Sequence, residues 1–148
     1  MSVFGATRYE AGTMIRFTYI APTAEERYRE IFVLNPDYKG KMHGLDLKRM
    51  TPAQVQVIEA IFDPEYQSGK KKHPYPLVND ILRRMDPSEV IKNPLSFYQR
   101  FVRPFMRTAG DVYRQFWPNY MSGVQVVKKS TMEGRQISPM NGKPLFHK

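Results

Sequence analysis

Apolar and polar residues alternate along the first third of the chain and shift to helical spacing beyond it. From Met14 to Ile20, the residues Ile15, Phe17 and Tyr19 fall on one side and Arg16 and Thr18 on the other, the period-2 mark of a half-buried strand. Ala21-Pro22-Thr23 interrupts it. Glu30-Ile31-Phe32-Val33-Leu34 is a short run of strand formers, and the cluster Asn35-Pro36-Asp37-Tyr38-Lys39-Gly40 is a dense turn signal. Alternation resumes over Met42–Leu47, with Leu45 and Leu47 inward. Gly44 inside this strand points to a bulge or a close backbone approach. Residues 13–48 therefore read as an antiparallel meander of three strands, and the first dozen residues read as loose.

Thr51 and Pro52 carry the start signals of a helix, N-cap and first-turn proline. Val55, Ile58, Ile61 and Phe62 repeat at helical spacing, and Asp63-Pro64 ends the run. Residues 64–75 are polar and turn-rich, a surface loop. A short helix is expected over 76–85, burying Leu77, Ile81 and Leu82, with Asp86-Pro87-Ser88 as a fresh cap. Asn93-Pro94 opens another helix, which Pro104 would kink. Residues 111–116 are expected to form a helical turn, and 123–128 a late strand that could pair with the first sheet. Residues 129–148 read as a basic tail, extended or disordered. The fold class that follows is α+β: a small bent antiparallel sheet, or SH3-like half-barrel, with three to four helices packed on it, as one domain over 1–128.

Charge changes the picture next. Of 148 residues, 23 are Lys or Arg and 14 Asp or Glu, a formal net charge of +9. Residues 1–37 hold four Arg and five acids, so the whole excess lies beyond them. Such a balance points to a polyanionic partner, above all nucleic acid, with DNA ahead of RNA. The absence of cysteine excludes disulfides and thiolate metal sites and fits a reducing compartment. No stretch is long and apolar enough for a membrane span, and the N-terminus has no signal-peptide pattern, so no membrane partner is expected.

The basic residues fall in three groups. Lys39 and Lys41 flank Gly40, and Lys48 and Arg49 follow the next strand; the two pairs are either a phosphate track along one sheet edge or ordinary solvated residues. Lys70, Lys71 and Lys72 precede His73 in a loop, able to displace counterions from a nucleic acid or simply to solubilise. Arg100, Arg103 and Arg107 recur at i, i+3 and i+7, displaced by roughly 200° from Tyr98, Phe101 and Phe105 on an ideal helix. A stripe of one sign repels itself unless an anion neutralises it, and guanidinium suits phosphate. Tyr113, Phe116, Trp117 and Tyr120 form an aromatic cluster that either closes the core or meets a partner protein.

Catalytic patterns are missing. No metal-ligand pair, phosphate loop or nucleophile elbow is present, so neither a cofactor nor a metal is expected, and the protein is read as no enzyme. His43 near Asp46 would suit acid–base cleavage of RNA; the simpler reading, a surface residue of a strand, is preferred.

The segment 32–47 contains the pattern NPxYxGKxHG followed by GLxL. It resembles small proteins of large tailed bacteriophages that share this apolar strand, turn and second strand; 94–98 and 111–114 carry further matching pieces. Some relatives with a comparable Gly-Leu-x-Leu strand are DNA end protector or head-completion proteins. The resemblance covers about residues 14–128. It implies a small SH3-like barrel in a virion or a phage DNA-processing assembly, with other phage structural proteins as partners. It places the protein in the host cytoplasm during infection or in the virion, and it carries over no catalytic residue.

Overall fold

A computed structural model describes residues 9–85, 88–105 and 111–130. Five antiparallel strands, β1 (Met14–Tyr19), β2 (Tyr28–Tyr38), β3 (Lys41–Asp46), β4 (Tyr113–Phe116) and β5 (Met121–Lys128), stand in the order β4-β3-β2-β1-β5. Five helices, α1 (Pro52–Ile61), α2 (Pro64–Gln67), α3 (Pro76–Arg84), α4 (Glu89–Lys92) and α5 (Pro94–Phe97), all fall between β3 and β4. The α+β class and the bent antiparallel sheet are both present.

The bend follows from connectivity. β4 and β5 lie on opposite edges of the sheet, yet only Trp117–Tyr120 joins them, and three of these four residues form a 3-10 turn. In a flat sheet four strand spacings of ~4.8 Å would hold the edges roughly 19 Å apart. A 3-10 turn rising about 2 Å per residue cannot cover that distance. The sheet therefore curls, and Phe116 of β4 meets Tyr19 and Phe17 of β1 edge to face, at 4.9 and 5.1 Å between ring centres.

Curling gives the sheet two buried faces. Ile15, Phe17, Tyr19, Ile31, Val33, Met42 and Phe116 fill the inside. Phe32, Leu34 and Leu45 face outward onto Ile58, Ile61, Phe62, Ile81, Val90, Phe97, Tyr98 and Phe101 of the helical segment. This is why β2 reads as an uninterrupted apolar run: from Ile31 to Leu34 both alternating sets are covered.

Several local expectations change. β2 runs on to Tyr38, because shifts of register at Asn35 and Tyr38 absorb the Asn-Pro-Asp sequence; the turn is confined to Lys39 and Gly40, both at positive φ. Residues 111–116 hold the edge strand β4 rather than a helical turn; Met42 pairs Phe116 and Leu45 pairs Tyr113. Leu77, expected inside, is 52% exposed, while Val78 and Ile81 make the contact. Residues 9–12 are not loose: Gly12 N–H donates to the Val33 carbonyl at 2.7 Å, and Ala11 is buried. The expected tail lies almost wholly outside the described residues, as do 1–8 and the Asp86-Pro87 part of the cap.

Other expectations hold. Thr51 and Gln54 form a reciprocal capping box with Pro52 in the first turn of α1, Asn93 caps α5 through the Ser96 N–H at 3.0 Å, and β5 pairs with β1.

Candidate nucleic-acid interface

Of the two readings of Lys39, Lys41, Lys48 and Arg49, the one in which the two pairs meet at one edge does not occur. Lys39 and Lys41 sit at the β2–β3 turn, whereas Lys48 and Arg49 follow β3 at its far end. A six-residue strand rising ~3.3 Å per residue separates the pairs by about 20 Å. Lys39 and Lys41 instead lie over aromatic rings, Tyr38 at 5.4 Å and Trp117 at 4.7 Å from Nζ to ring centre. Lys48 pairs with Glu26 and donates to the Tyr28 carbonyl at 3.1 Å.

The arginine stripe is altered by backbone geometry. After α5 the chain widens into a π turn over Tyr98–Val102 and tightens into a 3-10 turn over Arg103–Phe105, reached at Pro104. Tyr98 and Phe101 are buried as expected. Arg100 is not a bare cation: its Nη1 meets the Glu89 carboxylate of α4 at 3.0 Å, and its guanidinium covers Phe101. Arg103 is exposed and makes no ion pair among the described residues. Arg107 lies outside the described residues.

The aromatic cluster divides. Phe116 is 2% exposed inside the barrel and Tyr113 is buried against Tyr98, so neither is available to a partner protein. β4 places both on covered positions, one on each face of the sheet. Trp117, 46% exposed, and the partly exposed Tyr120 remain at the surface. Trp117 N–H donates to the Tyr19 hydroxyl at 3.0 Å, which fixes the start of the 3-10 turn.

His43 is buried, not a surface residue. Its Nε2 lies 3.2 Å from the Tyr38 carbonyl, which can only accept, so Nε2 carries the proton. Nδ1 then accepts from the Tyr113 hydroxyl at 2.6 Å. Burial, reinforced by Lys41, pushes the imidazole pKa below its ordinary value, against the Tyr38 bond. Both ring nitrogens are engaged within the fold.

The lysine loop finds company that its sequence neighbourhood does not reveal. A cleft of about 390 Å³ is lined by Glu59 and Ala60 of α1, Asp63, Tyr66, Lys71, His73, Tyr75, and Lys128 and Lys129 at the end of β5. Tyr66, His73 and Tyr75 form a chain of rings 5.5 and 5.2 Å apart. Tyr75 N–H donates to Nδ1 of His73 at 3.1 Å, and burial lowers the His73 pKa, so the ring is a neutral wall. Lys71 pairs with Glu65 at 2.9 Å and Asp63 at 3.8 Å, which raises its pKa, chiefly through the Glu65 hydrogen bond. Lys128 pairs with Glu59. Lys70, Lys72 and Lys129 are exposed and make no ion pair among the described residues. Lys71 of the lysine triplet and the doublet Lys128–Lys129, which begins 57 residues further on, thus meet at one aromatic-walled cleft. Only the charge of each group was visible along the chain, not their meeting.

Among the described residues no group of three or more His, Cys, Asp or Glu could hold a metal ion, and no helix is long and apolar enough to cross a membrane. No family model, curated protein or solved structure matches the chain.

Proposed function

We propose that the protein is a non-catalytic binder of nucleic-acid backbone, DNA ahead of RNA, acting in a tailed-phage assembly. The observation that carries this reading is the cleft where Lys71, flanked in the chain by Lys70 and Lys72, meets Lys128 and Lys129. Three lysines line the cleft and two more adjoin Lys71 in the chain, against the carboxylates of Glu59, Asp63 and Glu65, and Lys70, Lys72 and Lys129 make no ion pair among the described residues. Lysines that face a backbone release counterions and give affinity without base readout. The phage setting rests on the resemblance of residues 32–47.

The test is the salt dependence of duplex DNA binding. Replacing Lys70, Lys72 and Lys129 together with Gln should weaken binding at low salt. It should also flatten the plot of log affinity against log salt by about 0.9 for each phosphate that is no longer neutralised. An unchanged affinity and slope would sink the proposal.

A second reading, a structural adaptor in a phage head, neck or tail, is favoured by one observation. Two large apolar side chains are about half exposed, Ile20 just after β1, where its N–H donates to the Tyr120 carbonyl at 2.9 Å, and Trp117 at the start of the 3-10 turn. Co-assembly with phage structural proteins in high salt, abolished in Trp117→Ala, supports this reading; assembly that salt abolishes returns the protein to the backbone-binding class.

A further inference from the structure

We propose that Arg29, Arg49 and Arg114, gathered round the buried carboxylate of Asp46, form a binding site for a phosphate-type oxyanion. None of these residues lines the lysine cleft, so the site stands or falls apart from it.

Three elements converge here. Arg29 opens β2, Arg49 lies in the 3-10 turn after β3, and Arg114 is on β4. Asp46 ends β3 with a side chain 2% exposed, its N–H bonded to the Val112 carbonyl at 2.8 Å and its Oδ1 accepting from the Lys48 N–H at 3.1 Å. Its Oδ2 faces Arg49 Nε at 3.5 Å, Arg114 Nε at 3.9 Å and Arg29 Nη1 at 4.0 Å. These distances exceed an N–H···O bond. The carboxylate therefore gathers the guanidiniums without occupying their donors.

Much donor capacity is left over. The Arg49 side chain makes no hydrogen bond among the described residues and keeps half its surface. Arg29 gives Nη1 to Glu26 at 3.3 Å and lies over the Phe116 ring, but its Nε is buried without a hydrogen-bond partner. Arg114 spends Nη1 on the carbonyls of Asp111 and Tyr113 and keeps its other nitrogens. With Lys48, four cations share two carboxylates, Glu26 and Asp46.

Three nitrogens that each approach one oxygen this closely lie within about 8 Å of one another, a span that a tetrahedral oxyanion bridges with separate oxygens. Two carboxylates balance two of the four cations; the remaining positive charge repels itself until a further anion arrives. Guanidinium forks match phosphate geometry, which a lysine cluster would not.

The full chain is titrated with sodium phosphate, and separately with dimethyl phosphate, against sodium chloride of equal ionic strength, by calorimetry and by melting temperature. Wild type should bind at least one of the two and melt at higher temperature than in chloride. Arg49→Gln, which removes no hydrogen bond of the fold, should bind at least tenfold more weakly, with Arg49→Lys in between. Arg16→Gln, on the outer face of β1, should match wild type. Tighter binding of inorganic phosphate identifies a free phosphate or monoester as the ligand, and equal binding identifies a phosphodiester. No response beyond chloride, or an equal response in wild type and Arg49→Gln, overturns the site.

Discussion

The Tyr113 hydroxyl donates to Nδ1 of His43 across 2.6 Å, and this bond ties the edge strand β4 to the interior of β3. With Nε2–H on the Tyr38 carbonyl, the imidazole is locked as one neutral tautomer. Protonation would put a hydrogen on Nδ1, where the hydroxyl already points its own. The same burial raises the Tyr113 pKa well above its ordinary value.

This pair predicts acid sensitivity. The folded state holds His43 neutral, whereas the unfolded chain takes up a proton near pH 6.5. Stability is therefore present above that pH and lost as the pH falls below it. Urea unfolding at pH 7.5 and 5.5 should show the loss, and His43→Gln should show a smaller one. His73, also lowered by burial, acts in the same direction, so the difference between the two proteins isolates His43. Equal losses in both would refute the assignment.

Gly44 predicts a packing failure. A Cβ there would stand 2.3 Å from Ile31 Cγ2 and 2.7 Å from the Phe32 carbonyl oxygen. Neither neighbour can yield, because both belong to the central strand β2. Gly44→Ala should destabilise by roughly 1–3 kcal/mol or more, read as a lower denaturation midpoint. A neutral substitution would mean that β3 does not lie this close to β2.

Gly44 also marks how much of the fold was legible. A glycine amid alternating residues signalled a close approach, and it is one. The meander was readable because β1 has one wet face, so its period is clean. α1 was readable because Thr51, Pro52 and Gln54 sit at the positions a helix start requires. β4 was misread because four residues with both ends buried show no period that separates strand from helix. The stripe of Arg100, Arg103 and Arg107 presumed ideal helical spacing and unpaired charge; the π turn alters the spacing and Glu89 pairs Arg100, while Arg103 stays exposed and Arg107 lies outside the described residues. The cleft was invisible for a different reason. Lys71 and Lys128 are brought together by tertiary packing, and nothing local in either segment encodes it.

Asn35 predicts the cost of undocking a helix. Its buried amide donates to the carbonyls of Val90 and Ile91 at 3.2 and 3.3 Å, while its Oδ1 accepts from the Asp37 N–H at 2.9 Å. It therefore holds α4 against the bulged end of β2. Asn35→Ala takes this donor from the buried Val90 carbonyl and the part-buried Ile91 carbonyl and should cost about 1–3 kcal/mol. Amide exchange should quicken most in residues 89–93. Unchanged exchange there would show that apolar packing of Val90 alone docks the helix.

Phe116 and Trp117 are neighbours with opposite predicted consequences. Phe116 lies inside the barrel between Phe17 and Tyr19, so Phe116→Ala strips ring packing from two sides and should destabilise by about 3–5 kcal/mol. Trp117 contributes a backbone N–H to the Tyr19 hydroxyl, a bond that alanine retains. Its exposed ring meets mainly Gly40 and Lys41. Trp117→Ala should therefore cost under about 1 kcal/mol, the order of one surface cation–π interaction, and its effect should appear in partner binding instead. Chemical denaturation of the two variants, followed by circular dichroism, separates them. Similar losses in both would place Trp117 in the core and remove the apolar surface on which the adaptor reading depends.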